Sequence, residues 1–303
     1  MKIMMPHRNI LLRRVRTFGA RHLPPVFLKP LSLLSLVCLV ASIIAPSVGA
    51  KAGGEGEGLN RIRQRGELIV GIDYVTPSYS AGAKYRTPES LDTEAAEGLA
   101  KSLKVTVSTL AVTPQNRFQL LTSGKVDALL VRASDAEIAG FASEARVVVT
   151  GYVAQPKLIM RTDTDIKQWS QLKTRSVCVS QGSPYLGSMK ARFGAREMVM
   201  RAPADALLAL RTGQCDATVH DDILLDGMLI LPEWKKFSAS LPLSGPTTKL
   251  VWVIRPADGD VGQAIANLMR AWSKDGFWSG TRKKWVNDVA FEVYLDQNVP
   301  DCH

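Results

Sequence analysis

Residues 118–130 read FQLLTSGKVDALL, and residues 207–219 read LLALRTGQCDATV. Each begins as the end of an apolar helix and stops at a glycine, Gly124 or Gly213, the residue best suited to the left-handed backbone that closes a helix. A polar step follows, then Asp-Ala and an apolar strand. The match falls at the same topological place in both halves of the chain, because the sequence on either side repeats the same grammar.

Working outward in the first half, residues 68–72 (LIVGI) form an apolar strand after the turn at Arg65-Gly66. Residues 91–103 carry Ala95, Leu99, Ala100 and Leu103 at helical spacing, with Asp92 placed to cap the helix. Residues 105–110 read as a strand, 116–123 as a helix and 128–131 as a strand. In the second half residues 176–180 form a strand, a loop SQGSPYLG leads into a helix through Met189, and 198–200, 205–211 and 217–219 follow as strand, helix and strand. Strand and helix alternating at this spacing predict mostly parallel sheets flanked by helices. The expected architecture is two similar α/β lobes facing each other, with a ligand crevice between them near the strand ends. Residues 244–257 add a strand and 261–272 an amphipathic helix; Trp272, Phe277, Trp278 and Trp285 read as core or lobe-docking residues.

The head of the chain is different. Residues 1–50 hold seven Lys or Arg, no acid, and an uncharged run of fifteen from Leu31 to Ala45, short for a membrane span. Small residues follow at 46–50, so residues 1–50 read as an export signal cut near Ala50, which places the mature protein in the periplasm. The 303-residue chain has a formal charge of +10, but residues 51–303 carry 31 basic and 28 acidic side chains. That balance, with no basic and aromatic stripe, speaks against nucleic acid as a partner. Cys178, Cys215 and Cys302 remain beyond the head, enough for one disulfide in an oxidising compartment.

Residues 213–227 (GQCDATVHDDILLDG) place Asp221 and Asp222 directly after a buried-looking strand. With RGELIVGIDY, NRFQLLTSGKVDALL, LKTRSVCVSQGS and ANLMRAWSKDGFWSGTRKKWV, in this order and spacing over residues 59–290, the chain resembles the family 3 extracellular solute-binding proteins, the periplasmic receptors of polar amino-acid ABC transporters. DDILLDG is most similar to their glutamate and aspartate receptors. The resemblance implies a two-lobed type II periplasmic binding protein fold: lobe one from residues 59–152, lobe two from 153–249, and a return segment with C-terminal helices at 250–303. It implies a monomer that holds a small polar amino acid, acidic by motif, and presents it to an ABC permease, with no cofactor, no metal and no catalytic residue.

Residue by residue, Asp221 matches the family's ammonium-binding aspartate, a role suited to charge-assisted bonds in a closing cleft. Gly182-Ser183 matches the segment that faces the α-carboxylate from a helix start, where free N–H groups suit an anion. Tyr79 matches an aromatic pocket wall, with Tyr74 as a second. The family's carboxylate-clamping arginine is absent, since Ala136 stands at its place; Arg132, with Ser134 nearby, is the candidate replacement. Ser90-Leu91-Asp92 replaces the usual Gly-Phe-Asp. Asp222 is expected to cap the next helix, and Asp216 and Asp127 to hold equivalent turns. Cys178 and Cys215 fall on neighbouring strands of lobe two, which suits either a disulfide or two buried thiols. Two other readings stay open: an enzyme resembling periplasmic cyclohexadienyl dehydratases, with Glu137 or His220 as acid or base, and a sensory or partner-binding module.

Overall fold

The computed structural model describes residues 56–77, 84–241 and 245–297. The export signal, Tyr79 and Cys302 lie outside the described residues.

Two five-stranded sheets carry the fold. The first is built from β1 (Glu67–Ile72), β2 (Thr106–Ala111), β3 (Ala128–Ala133), β4 (Arg146–Ala154) and β10 (Thr248–Ile254), in the order β2-β1-β3-β10-β4. The second holds β5 (Pro156–Met160), β6 (Ser176–Ser180), β7 (Arg196–Met200), β8 (Ala217–Asp221) and β9 (Ala239–Ser240), in the order β7-β6-β8-β5-β9. Only part of each sheet is parallel. β1 runs parallel to β2 and β3, whereas β10 is antiparallel to β3 and β4. β6 likewise runs parallel to β7 and β8, while β5 is antiparallel to β8 and β9. The expectation of mostly parallel sheets is therefore corrected to mixed ones. Helical crossovers within a lobe make parallel neighbours. β4 runs out of the first sheet into β5 of the second with only Gln155 between, and the chain returns from β9 to β10, so these passing strands enter reversed.

Period-two alternation explains how the first sheet is covered on both faces. Ala128, Leu130, Trp252 and Ile254 join one apolar cluster, with α1 (Glu57–Arg65), α2 (Asp92–Leu103) and α8 (Gly259–Asp275) over it. Leu129, Val131, Val251 and Val253 join another, under α3 (Arg117–Thr122) and α4 (Asp135–Glu144). The helices α1 and α4 and the strands β4 and β5 are absent from the sequence reading. The start of α4 is a capping box, with the Ser134 hydroxyl accepting from Glu137 N and the Glu137 carboxylate accepting from Ser134 N.

The internal repeat is structural as well as textual. Gly124 and Gly213 have φ of 74° and 75°. Asp127 Oδ2 accepts the N–H of Ile69 at 2.8 Å, and Asp216 Oδ2 accepts the N–H of Ser176 at 2.7 Å, so each aspartate ties its turn to the strand beside it. In lobe two α5 (Ser188–Phe193), α6 (Pro203–Arg211) and α7 (Asp222–Leu229) flank the sheet, and a disulfide joins Cys178 to Cys215 with Cα atoms 5.8 Å apart.

The last helix, α9 (Phe277–Leu295), packs on α8 and also on α6 and α7. Its buried Trp285, Val286 and Val289 belong to one apolar cluster with Leu99 of the first lobe and Leu207, Leu224 and Met228 of the second. A Cβ at Gly227 would sit 2.5 Å from Val286, which shows how closely α7 approaches α9.

Candidate functional site

The strand ends β1, β3, β6 and β8 converge on the space between the sheets, as the parallel units require. There a cavity of about 350 Å³ opens. Its wall takes Asp73 and Tyr74 from the exit of β1, Glu89 and Asp92 from the approach to α2, Arg117, Arg132 and Glu137 from α3, β3 and α4, and Gln181, Gly182 and Ser183 from the exit of β6.

Arg132 and Asp221 meet across this cleft. Arg132 Nη1 lies 2.7 and 2.6 Å from the two Asp221 oxygens, and Nη2 donates to Thr248 Oγ1 at 2.7 Å. Asp221 also accepts the hydroxyls of Tyr152 at 2.5 Å and Tyr185 at 2.6 Å. It is fully buried. Burial alone would raise its carboxyl; the Arg132 guanidinium, then His220 and the hydrogen bonds, outweigh that and hold it below the ordinary value. Burial works against the charged Arg132 too, and the Asp221 charge more than compensates. Arg132 lines the cavity, whereas Asp221 lies behind it.

The neighbouring residue makes a second contact between lobes. His220 Nδ1 accepts the N–H of Asp221 at 2.7 Å, which leaves the proton on Nε2, 3.0 Å from Glu89 Oε1. Burial would lower the histidine, but Glu89 raises it further. Glu89 is itself buried, and the contact is an ion pair by distance: neither Glu89 oxygen nor His220 Nε2 makes a hydrogen bond. His220 is thus held by Asp221 N at Nδ1 and by the Glu89 charge at Nε2, and Glu137 is committed to Ser134 and, at 3.4 Å, to Arg117. Neither stands free as an acid or base.

Tyr74 and Gly182 meet face to face between the lobes: a Cβ on Gly182 would be 2.3 Å from Tyr74 Cδ1. The loop SQGSPYLG ends at Gly187 and α5 begins at Ser188, as the sequence reads, so Gly182-Ser183 lies five residues ahead of the helix. Pro184 disfavours helical backbone at Ser183, whose N–H donates to Ser180 O at 3.0 Å instead. Gly182 and Ser183 therefore enter the cavity wall from a turn, with the Ser183 N–H already used. Ser134 caps α4 and is absent from the cavity wall. Asp222 opens α7, with its carboxylate accepting from Ile223 N at 2.9 Å and from Gln155 N at 3.1 Å in the crossover. Asp226 pairs with Lys157 outside the cleft.

Of the first-lobe acids in the wall, the sequence singled out Asp92 and Glu137 but not Asp73 or Glu89. Asp73 accepts the N–H of Arg132 at 2.8 Å and faces the open cleft. Desolvation by the surrounding walls, with help from Asp92, pushes it up to about 6. Burial likewise raises Asp92, whose carboxylate accepts from Thr93 N at 2.7 Å at the first turn of α2 instead of capping it from outside. Glu137 goes the other way, because the donors of Ser134 and Arg117 overcome its desolvation. An acid directly after the first strand, in GIDY, was the one available signal. Among the described residues no group of three or more His, Cys, Asp or Glu is arranged to hold a metal ion.

No family model matches the chain. It is similar to a glutamine-binding protein of Geobacillus stearothermophilus, 27% identical over 212 residues, which covers 65% of this chain and 80% of that protein. It is also similar to the L-cystine-binding protein TcyJ of Escherichia coli K12, 23% identical over 257 residues, covering 83% and 94%. Among solved structures, an ancestral cationic amino acid solute binding protein, AncCDT-1, shares the fold with a TM-score of 0.54 at 21% identity, covering 75% of this chain and 99% of that one. The two-lobed fold, which AncCDT-1 shares, and the cleft between strand ends agree with the sequence relatives: the chain is a solute-binding receptor, similar to those of family 3, that holds a small polar, amino-acid-like solute for an ABC permease.

Proposed function

We propose that the solute carries a cationic group, as a basic amino acid or related amine does, in place of the acidic amino acid suggested by the DDILLDG motif. The charge of the wall carries this reading. Asp73, Glu89, Asp92 and Glu137 face the cavity against Arg117 and Arg132, and both arginines already pair with carboxylates. An anion would meet uncompensated negative charge there; a cation would complete it. Desolvation disfavours the ionised forms of Asp73 and Asp92, and a cation beside them would favour those forms. Tyr74, Gly182 and Ser183 would close the cavity from both sides.

Bound solute stabilises the closed form because its contacts on both lobes exist together only there. The receptor acts as a monomer in the periplasm, after loss of residues 1–50 near Ala50. The test is a thermal-shift and calorimetric screen of the mature protein against lysine, arginine, ornithine and putrescine, with glutamate, aspartate, glutamine and cystine in parallel. Stabilisation by the basic set is expected. Stabilisation by glutamate or aspartate alone would refute the cationic reading while leaving the receptor function intact.

A further inference from the structure

Asp221 sits in a setting built for a planar cation. Its two oxygens receive Arg132 Nη1 and two tyrosine hydroxyls, and the guanidinium carbon lies 5.9 Å from the Tyr152 ring and 5.8 Å from the Tyr185 ring. Thr248 takes the remaining edge of the fork, at 2.7 Å from Nη2. A guanidinium uses its fixed fork and flat faces in such a cage, whereas an ammonium offers a compact charge without either. One carboxylate meets one guanidinium, so no charge is left over for a second cation. The partners come from opposite sides of the cleft: Arg132, Tyr152 and Thr248 from the first sheet, Asp221 and Tyr185 from the second lobe.

We propose that this cage is a guanidinium-binding site filled in cis by Arg132, which latches the lobes together without any solute. The inference about which carboxylates then read the solute rests on the cationic reading above. With Asp221 occupied, the solute's cation falls to the first-lobe acids, foremost Glu89, which is buried on the cavity wall with neither carboxylate oxygen hydrogen-bonded. The latch thereby separates two tasks, one carboxylate holding the lobes and another set choosing the solute.

Chemical rescue tests the latch with no solute present. In Arg132→Ala, confirmed folded by circular dichroism, scattering should report a larger radius of gyration and the melting temperature should fall. Low-millimolar methylguanidinium should reverse at least half of both changes, by mass action on the vacated cage. Equal methylammonium should not, and Arg132→Ala/Asp221→Asn should respond to neither. If Arg132→Ala fails to fold, Arg132→Gln, which keeps a donor for Thr248, carries the same comparison. A folded variant that ignores methylguanidinium, or answers methylammonium equally well, overturns the proposal. So does a wild-type complex with a basic amino acid in which Arg132 has left Asp221. Failure of the solute screen would leave the rescue result standing, so the two readings fail separately.

Discussion

Substituting Gly182 by alanine isolates the cost of closing the lobes. Gly182 follows β6 and Tyr74 follows β1, so their contact exists only when the two sheets approach. A Cβ at residue 182 would lie 2.3 Å from Tyr74 Cδ1 and 2.7 Å from both Cγ and Cε1. Because Cγ is the ring atom nearest the backbone, the ring cannot swing its tip aside; Tyr74 must change rotamer or the lobes must part. The residue does not have a positive φ, so alanine brings no backbone strain and the open form is untouched. Overpacking of this kind costs about 1–3 kcal/mol. Charged to the closed form alone, it moves the open–closed balance about 5- to 150-fold toward open, and solute affinity falls by whatever part of that shift exceeds the bias of the latch. Calorimetry with the best-binding solute measures the loss, and small-angle scattering on the free protein should show an increased radius of gyration. Tyr74→Ala removes the obstacle, so Gly182→Ala should cost almost nothing on that background, giving a coupling energy of the same size in a double-mutant cycle. Unchanged affinity in Gly182→Ala, or an equal loss with and without Tyr74, would show that this contact does not belong to the closing step.

Affinity for a cationic solute should rise from pH 5 to pH 7 as Asp73, held at about 6, ionises in the free receptor; calorimetry across that window checks it, and Asp73→Asn should flatten the profile. His220 is held above its ordinary value by Glu89 and Asp221 against the effects of burial and Arg132. Its contribution to stability is therefore full below about pH 6.5 and lost as pH climbs through the shifted value. The gap in melting temperature between wild type and His220→Gln should accordingly shrink from pH 6 toward pH 8. Replacing Cys178 and Cys215 by serine releases a loop spanning 37 residues in sequence, worth about 4 kcal/mol by chain entropy. Urea denaturation should show that loss, and reductant should reproduce it in the wild type.

The lobes were legible because their signals are local. A left-handed glycine, an aspartate and an apolar strand recur in a run of thirteen residues, and Gly124 with Asp127 and Gly213 with Asp216 perform the same tasks in each half. Strand direction was not legible. β4 and β5 were not read as strands at all, and their reversal follows from passing between sheets at Gln155, which no residue type announces. The helix α4 was masked because its acids and small residues read as an altered loop, although Ser134 and Glu137 carry the spacing of a capping box. Arg132 and Asp221 were both found as ionic candidates, but their mutual pairing depends on how the lobes face each other. Glu89 gave no signal, since its burial arises only when the segment before α2 meets His220 of the other lobe.

The two residues of the latch stand at matching points of the repeat, each the fifth residue after the Asp of Asp-Ala. Had both halves kept the same side chain there, the cleft would set two guanidinium groups or two carboxylates against each other in a buried space. Attraction across the repeat demands that the halves differ at this one place. Two identical copies associating as a dimer would have no way to achieve it, whereas a single chain lets each half diverge alone. The closed cleft is in this sense a reward of covalent linkage: one protein can hold opposite charges at its own mirror positions.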